Sequence, residues 1–316
     1  MSAPNILAVS QLSPLYLAHL NAHFTVHDRL HVNNPEQFKA IAPQIRAIAA
    51  SGESKVPASL IELLPKLEII SVFGVGYDGV DVQAAIARGA KVTHTPNVLN
   101  DDVADLAIGL MLAAARQLPA SDVYVKTGTW AEKGPMPLAR KVSGARVGIV
   151  GMGRIGQAIA KRAAAFDMSI AYTSRNARAD VPFKHYASAT ELAAVSDYLV
   201  VITPGGATTK HLINAEVLKA LGKKGILVNV ARGSVVDEAA LISALVDGTI
   251  GGAGLDVFEN EPNVPQALRD MPHVVLSPHI GSATTQTRQA MADLAFGNLQ
   301  SHFAGQALLT PVPECM

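Results

Sequence analysis

The apolar run Val147-Gly148-Ile149-Val150 ends in Gly151-Met152-Gly153-Arg154-Ile155-Gly156. It passes at once into Gln157-Ala158-Ile159-Ala160-Lys161-Arg162-Ala163, whose apolar spacing is helical. That order is strand, tight turn, helix. Gly151, Gly153 and Gly156 fill the G-x-G-x-x-G template. The first glycine allows the sharp turn, the second lets a pyrophosphate approach the backbone, and the third lets helix pack closely on strand. Free N–H groups at the helix start hold phosphates without a basic side chain. A glycine-rich turn without a ligand is the plainer alternative, but the context the motif requires stands on both sides of it.

With 316 residues the chain is longer than one hydrophobic core usually serves, so two domains are expected. Lysine plus arginine (26) equals aspartate plus glutamate (26), so there is no basic field to attract nucleic acid. Cys315 is the only cysteine, which rules out an internal disulfide or a cysteine metal site and suits a reducing, cytoplasmic setting. Met1-Ser2-Ala3-Pro4-Asn5 carries no sign of a secretory signal. The longest apolar stretch, Ala104 to Ala115, is too short for a bilayer, so no membrane partner is expected.

The first hundred residues read as strands at Ile6–Val9, Phe24–Val26, Ala47–Ala50, Leu67–Phe73 and Lys91–His94, with helical patterns between them. Alternation of this kind predicts a parallel sheet covered on both faces. Ligands in such sheets bind beyond the carboxyl ends of strands. Ser51-Gly52 lies at one such end and reads as readily as an ordinary turn. Gly74-Val75-Gly76 lies at another, and its N–H groups suit a small carboxylate. Asn100, as an N-cap, and Asp101-Asp102 open a long helix whose face of Val103, Leu106, Ala107, Leu110, Met111 and Ala114 is expected to be buried and to bridge two domains. Trp130 is the lone tryptophan; packing is its commoner role, recognition the other.

Beyond the glycine turn, Met168–Tyr172 reads as the next strand. An acidic residue about 20 positions past the glycines would hold a ribose 2′-hydroxyl. The sequence there is Thr173-Ser174-Arg175-Asn176, with Arg178 close behind. A guanidinium and hydroxyls suit a 2′-phosphate, so NADPH is the expected cofactor, with NADH the alternative. Further strands end at Thr203-Pro204, at Val230-Ala231-Arg232-Gly233, at Asp256 with Glu259 and Glu261 beyond, and at His279. If these strands are parallel, Arg232, Glu261 and His279 emerge at one rim, where a nicotinamide would lie. The nucleotide is expected to meet Gly151, Met152, Gly153, Arg154, Ile155 and Gly156. Ser174, Arg175 and Asn176 would meet its ribose end, and Thr203, Pro204, Val230, Ala231, Asp256 and Gly281 the remainder.

Reducing a 2-oxo acid takes a hydride donor, a proton donor and a carboxylate clamp. A reduced nicotinamide supplies the hydride. His279 suits the proton donor near neutral pH, Glu261 would orient its ring and favour the imidazolium, and Arg232 offers a two-pronged clamp. Each has a bland alternative: a buried histidine, a loop carboxylate, a phosphate contact. Their joint occurrence behind a dinucleotide motif favours the catalytic reading. No His/Asp/Glu cluster has metal-ligand spacing, so no metal is expected.

Several stretches together resemble the D-isomer-specific 2-hydroxyacid dehydrogenases: Val75-Gly76-Tyr77-Asp78, Asn100 to Asp105, Gly151 to Gly156, Asn229-Val230-Ala231-Arg232-Gly233, Gly254 to Pro262 and Ser277-Pro278-His279-Ile280-Gly281. The chain looks most like the NADPH-preferring glyoxylate/hydroxypyruvate reductases, with the hydroxyphenylpyruvate reductase branch. The resemblance implies an α/β fold of two doubly wound parallel-sheet domains. A Rossmann cofactor domain (99–285) would be inserted into a discontinuous, flavodoxin-like substrate domain (1–98 and 286–316). It implies that Arg232, Glu261 and His279 are catalytic. Substrate would touch Ser51, Val75, Gly76, Arg232 and His279. It further implies a homodimer in which Trp130 approaches the neighbouring active site. Formate dehydrogenases of the superfamily carry glutamine at the position of Glu261, which argues against formate oxidation. The expected activity is reduction of glyoxylate, hydroxypyruvate or an aryl-pyruvate to the D-2-hydroxy acid. The alternative is a nucleotide-sensing, corepressor-like binding protein of the same superfamily.

Overall fold

The computed structural model describes residues 3–316, so the first two positions of the stretch read for a secretory signal, Met1 and Ser2, lie outside the described residues. The chain divides into two compact units, Met1–Leu99 with Ala283–Met316, and Asn100–Ser282.

In the first unit the strands are β1 (Asn5–Ala8), β2 (Thr25–Asp28), β3 (Ile45–Ser51), β4 (Ile69–Phe73) and β5 (Lys91–Thr93). All pair in parallel in the order β2-β1-β3-β4-β5, which is the flavodoxin-like winding. Every residue of β4 is buried, as a strand covered on both faces requires. One cover is the helix Thr285–Phe303, and buried Ser71 on β4 donates its hydroxyl to the Ala295 carbonyl at 2.9 Å. That bond satisfies the one polar side chain of the strand.

The second unit carries β6 (Arg146–Val150), β7 (Ser169–Thr173), β8 (Lys184–His185), β9 (Tyr198–Val201), β10 (Ile226–Asn229), β11 (Gly252–Leu255) and β12 (Val274–Leu276). The order is β12-β11-β10-β9-β6-β7-β8, again parallel throughout. This is the Rossmann winding with an added outer strand, and its switch point lies between β6 and β9. The carboxyl ends of β6, β7, β9, β10, β11 and β12 therefore face one rim.

The helix Asn100–Arg116 belongs to the second unit and packs on its sheet; a Cβ on Gly254 of β11 would lie 2.9 Å from the Leu110 Cβ. Asn100 is the first residue of that helix rather than the residue preceding it. The return to the first unit comes at Ala283, a little before the expected point after residue 285. Thr284 caps the returning helix there, accepting from the Thr287 N–H at 3.2 Å. Among the described residues no single helix is long and apolar enough to cross a membrane.

Candidate active site

The site of the second unit begins with three turns at adjacent strand ends. After β10, Asn229 shapes the first. Its Oδ1 accepts from the Ala231 N–H at 3.1 Å and its Nδ2 donates to the Arg232 carbonyl at 3.1 Å. Asn229 is 1% exposed, so both bonds are sheltered from water. Arg232 leaves this turn with its Nη1 donating to its neighbour's carbonyl, that of Ala231, at 2.8 Å.

After β11, the chain turns back through residues 256–261. Glu261 is fixed at both oxygens. Oε1 accepts from the Phe258 N–H at 2.9 Å and Oε2 meets the His279 Nδ1 at 2.8 Å. Burial alone would push the Glu261 carboxyl up. The hydrogen bond and charge of His279, the Phe258 N–H and the nearby Arg232 charge outweigh it and leave the group below the ordinary glutamate range. Ionised, Glu261 can only accept, so Nδ1 of His279 carries the proton and Nε2 is the nitrogen turned to other partners. His279 and Glu261 keep side-chain exposures of 27% and 24%, so the pair is reachable from solvent.

After β12, His279 sits at φ 52°, a left-handed conformation that a non-glycine residue adopts at a cost of about 1–3 kcal/mol. Asp256 holds the turn. Its Oδ1 accepts from the Ser277 hydroxyl at 2.6 Å and the Ile280 N–H at 2.8 Å, and its Oδ2 accepts from the Gly281 N–H at 2.8 Å. The His279 N–H also donates to the Asp256 carbonyl at 2.9 Å. Together these bonds hold the His279 turn in that conformation. Burial pushes the Asp256 carboxyl above the ordinary aspartate range, partly offset by these donors and by the His279 charge. Ser277 carried no assigned role in the sequence, although its place two residues before His279 was a signal. The structure thus brings Arg232, Glu261 and His279 to one rim, with Glu261 and His279 in direct contact.

The same rim bears the glycine turn. Gly151 has φ 108°, where a side chain is strained, and a Cβ on Gly156 would lie 2.1 Å from the Gly151 carbonyl oxygen. A Cβ on Gly153 would meet nothing within 4 Å. The first and third glycines are therefore required by packing, and the second leaves open space over the backbone, where a pyrophosphate would approach. The helix Arg154–Ala164 starts there with no side-chain cap, so the chain fits a dinucleotide. Met152, Arg154 and Ile155 complete this turn, while Thr203 and Pro204 follow β9, and Val230 and Ala231 follow β10.

At the end of β7 the expected basic cluster resolves unequally. The Arg178 guanidinium is paired with Asp180, Nε to Oδ1 at 2.9 Å and Nη2 to Oδ2 at 2.5 Å. The Arg178 N–H donates to the Tyr172 hydroxyl at 2.7 Å. Ser174 gives its hydroxyl proton to the Asn176 carbonyl at 2.7 Å. Arg175 and Arg178 are both exposed, but among the described residues Arg175 makes no such pair, so it, unlike Arg178, keeps its guanidinium uncommitted.

In the first unit, Ser51 ends β3 inside a hydroxyl cluster, 3.3 Å from Ser10 Oγ and 3.0 Å from Ser54 Oγ, and its N–H donates to Ser54 Oγ at 2.8 Å. That is the behaviour of a structural turn. Val75 and Gly76 follow β4, and among the described residues neither N–H meets an acceptor. Trp130 lies on the short helix Thr129–Lys133 of the second unit and is 60% exposed, so the packing role is not seen within one chain.

The sequence model described as D-isomer specific 2-hydroxyacid dehydrogenase, NAD binding domain, matches residues 108–281. The chain belongs to this family. The D-isomer specific 2-hydroxyacid dehydrogenase family therefore accounts for the Rossmann unit and for the two-sheet plan, and the protein is an oxidoreductase with an NAD(P)-binding domain. Hydroxyphenylpyruvate reductase from Plectranthus scutellarioides is 53% identical over 86% of this chain and 86% of its own. A 2-ketogluconate reductase from Gluconobacter oxydans is 44% identical, with 98% and 99% of the two chains covered. Among solved structures, the NADPH-dependent glyoxylate/hydroxypyruvate reductase from Sinorhizobium meliloti, in complex with NADP and malonate, superposes with a TM-score of 0.93. It is 47% identical, with 99% of this chain and 98% of that one covered. The corepressor-like alternative gains no support from these dehydrogenase relatives.

Proposed function

We propose that this dehydrogenase reduces small 2-oxo acids, namely glyoxylate, hydroxypyruvate or an aryl-pyruvate, to D-2-hydroxy acids with NADPH as the preferred donor. The observation that carries the reading is the 2.8 Å contact between His279 Nδ1 and an ionised Glu261 on the rim that also bears the glycine turn and Arg232. The bound coenzyme would supply the hydride to C2 of the substrate. Arg232 binds the 2-oxo acid through its guanidinium and polarises the C2 carbonyl. The Val75 and Gly76 N–H groups take the carboxylate. His279, charged and steadied by Glu261, gives its Nε2 proton to the C2 oxygen as negative charge develops there. Asp256 keeps the His279 turn closed. The proton returns to Nε2 from solvent after product leaves.

The NADPH preference rests on Arg175, an exposed guanidinium after β7 that no carboxylate pairs among the described residues, and on the lack of an acidic residue among Thr173-Ser174-Arg175-Asn176 at the strand's end. A homodimer is supported by four exposed apolar side chains close together in sequence on the second unit, Leu118, Val123, Val125 and Trp130. Cys315 is a free thiol, in keeping with a cytoplasmic location. Steady-state kinetics with glyoxylate, hydroxypyruvate and 4-hydroxyphenylpyruvate, each with NADPH and NADH, test the reading. Turnover of at least one acid, with higher kcat/KM for NADPH, is expected. No turnover of any 2-oxo acid, or equal use of NADH, would overturn the activity or the cofactor preference respectively.

A further inference from the structure

The loop after β4 is braced by a segment far away in sequence. The Thr95 N–H donates to the Gly74 carbonyl at 2.8 Å, and the His94 ring meets the Val75 carbonyl through Nδ1 at 2.9 Å. A carbonyl can only accept, so Nδ1 of His94 carries the proton. The His94 backbone is held from both sides by Thr310: its N–H donates to the Thr310 carbonyl at 3.2 Å and its carbonyl accepts from the Thr310 hydroxyl at 2.6 Å. Thr310 is in turn gripped by fully buried Asn298, through bonds of 2.8 and 2.9 Å. Nearby, the Tyr77 ring meets the His94 ring edge-on at 5.3 Å, and the Tyr77 hydroxyl donates to the Glu314 carboxylate at 3.1 Å. Burial and the Glu314 carboxylate push the Tyr77 phenol up to about 12, so it remains a donor at neutral pH.

The Val75 carbonyl and the Gly76 N–H belong to one planar trans peptide and point in opposite directions. Fixing the carbonyl on one side therefore aims the N–H on the other. We propose that His94 is a positioning residue for the substrate carboxylate, and that the segment 310–315 sets the shape of the Gly74–Tyr77 loop through His94 and Tyr77. This rests on the reading of Val75 and Gly76 given above.

The test compares His94→Leu, His94→Asn and Tyr77→Phe. Asparagine keeps a donor near the position of Nδ1, and phenylalanine keeps the ring but loses the bond to Glu314. His94→Leu is expected to raise KM for glyoxylate and the inhibition constant of oxalate in parallel, each about ten-fold, the worth of one hydrogen bond. The kcat at saturation and KM for NADPH stay within about two-fold, and His94→Asn restores most of the loss. Tyr77→Phe raises the same two constants by about two- to three-fold, and it carries the test if His94→Leu does not fold. Unchanged constants in these variants, or equal losses in kcat and in KM for both substrates, would overturn this inference. Absence of turnover in the unsubstituted enzyme would instead overturn the proposed function.

Discussion

Gly233 lies so close to Phe258 that a Cβ on it would come within 1.9 Å of the Phe258 carbonyl carbon and oxygen. The turn carrying Arg232 and the loop carrying Glu261 thus rest on each other with no room for a methyl group. Gly233→Ala must push them apart. Overpacking of this kind costs about 1–3 kcal/mol. Chemical denaturation should register that loss, and kcat/KM for the 2-oxo acid should fall by more than the small change in unfolded fraction explains. A variant with unaltered stability and turnover would mean that the two turns are not mechanically joined.

The two acidic groups of the site respond to pH in opposite senses. Glu261 is depressed in the fold, so it contributes stability that is present above the ordinary glutamate range and lost as pH falls through its folded value. Asp256 is raised, so the fold binds its proton more readily than the unfolded chain, and stability attributable to it grows as pH falls through its folded value. Urea unfolding from pH 7 down to pH 4 and below should therefore show Glu261→Gln losing less stability than the native enzyme on acidification. Asp256→Asn should lose more. Parallel curves for all three proteins would contradict both assignments. In the Gln variant the alkaline limb of the rate profile should also move to lower pH, because the partner favouring the imidazolium is gone.

Arg175 and Arg178 stand three positions apart and are expected to behave differently. Arg178 is engaged with Asp180 and Arg175 is not. Arg175→Ala should lower kcat/KM for NADPH by about 10- to 100-fold, a lost charge-assisted pair, with NADH use little changed. Arg178→Ala should alter neither by more than about two-fold, as for an exposed surface pair. The reverse ranking would move the 2′-phosphate contact to Arg178.

The strands were readable because most are apolar runs stopped by a glycine or a polar residue, as at Gly74, Gly151 and Asp256. β8 was not, since Lys184–His185 is two polar residues on a sheet edge and carries no periodicity. The helix Leu118–Lys126 has no buried residue, so its pattern gave no inward face to recognise. The joint position of Arg232, Glu261 and His279 followed from parallel strand ends. What holds them did not: the left-handed backbone at His279 has no glycine to announce it, and it depends on Asp256, 23 residues earlier. The choice between Arg175 and Arg178 likewise turns on Asp180, whose pairing is a matter of side-chain direction rather than spacing.

The central claim is that the His279 imidazole gives up the proton that completes reduction. The most direct measurement is single-turnover coenzyme oxidation in His279→Ala, with NADPH affinity determined separately by fluorescence titration. The account predicts a rate lower by about 10²–10⁴-fold, the usual worth of a positioned acid, with NADPH affinity within about three-fold of native. Single-turnover rates within ten-fold of native would contradict it.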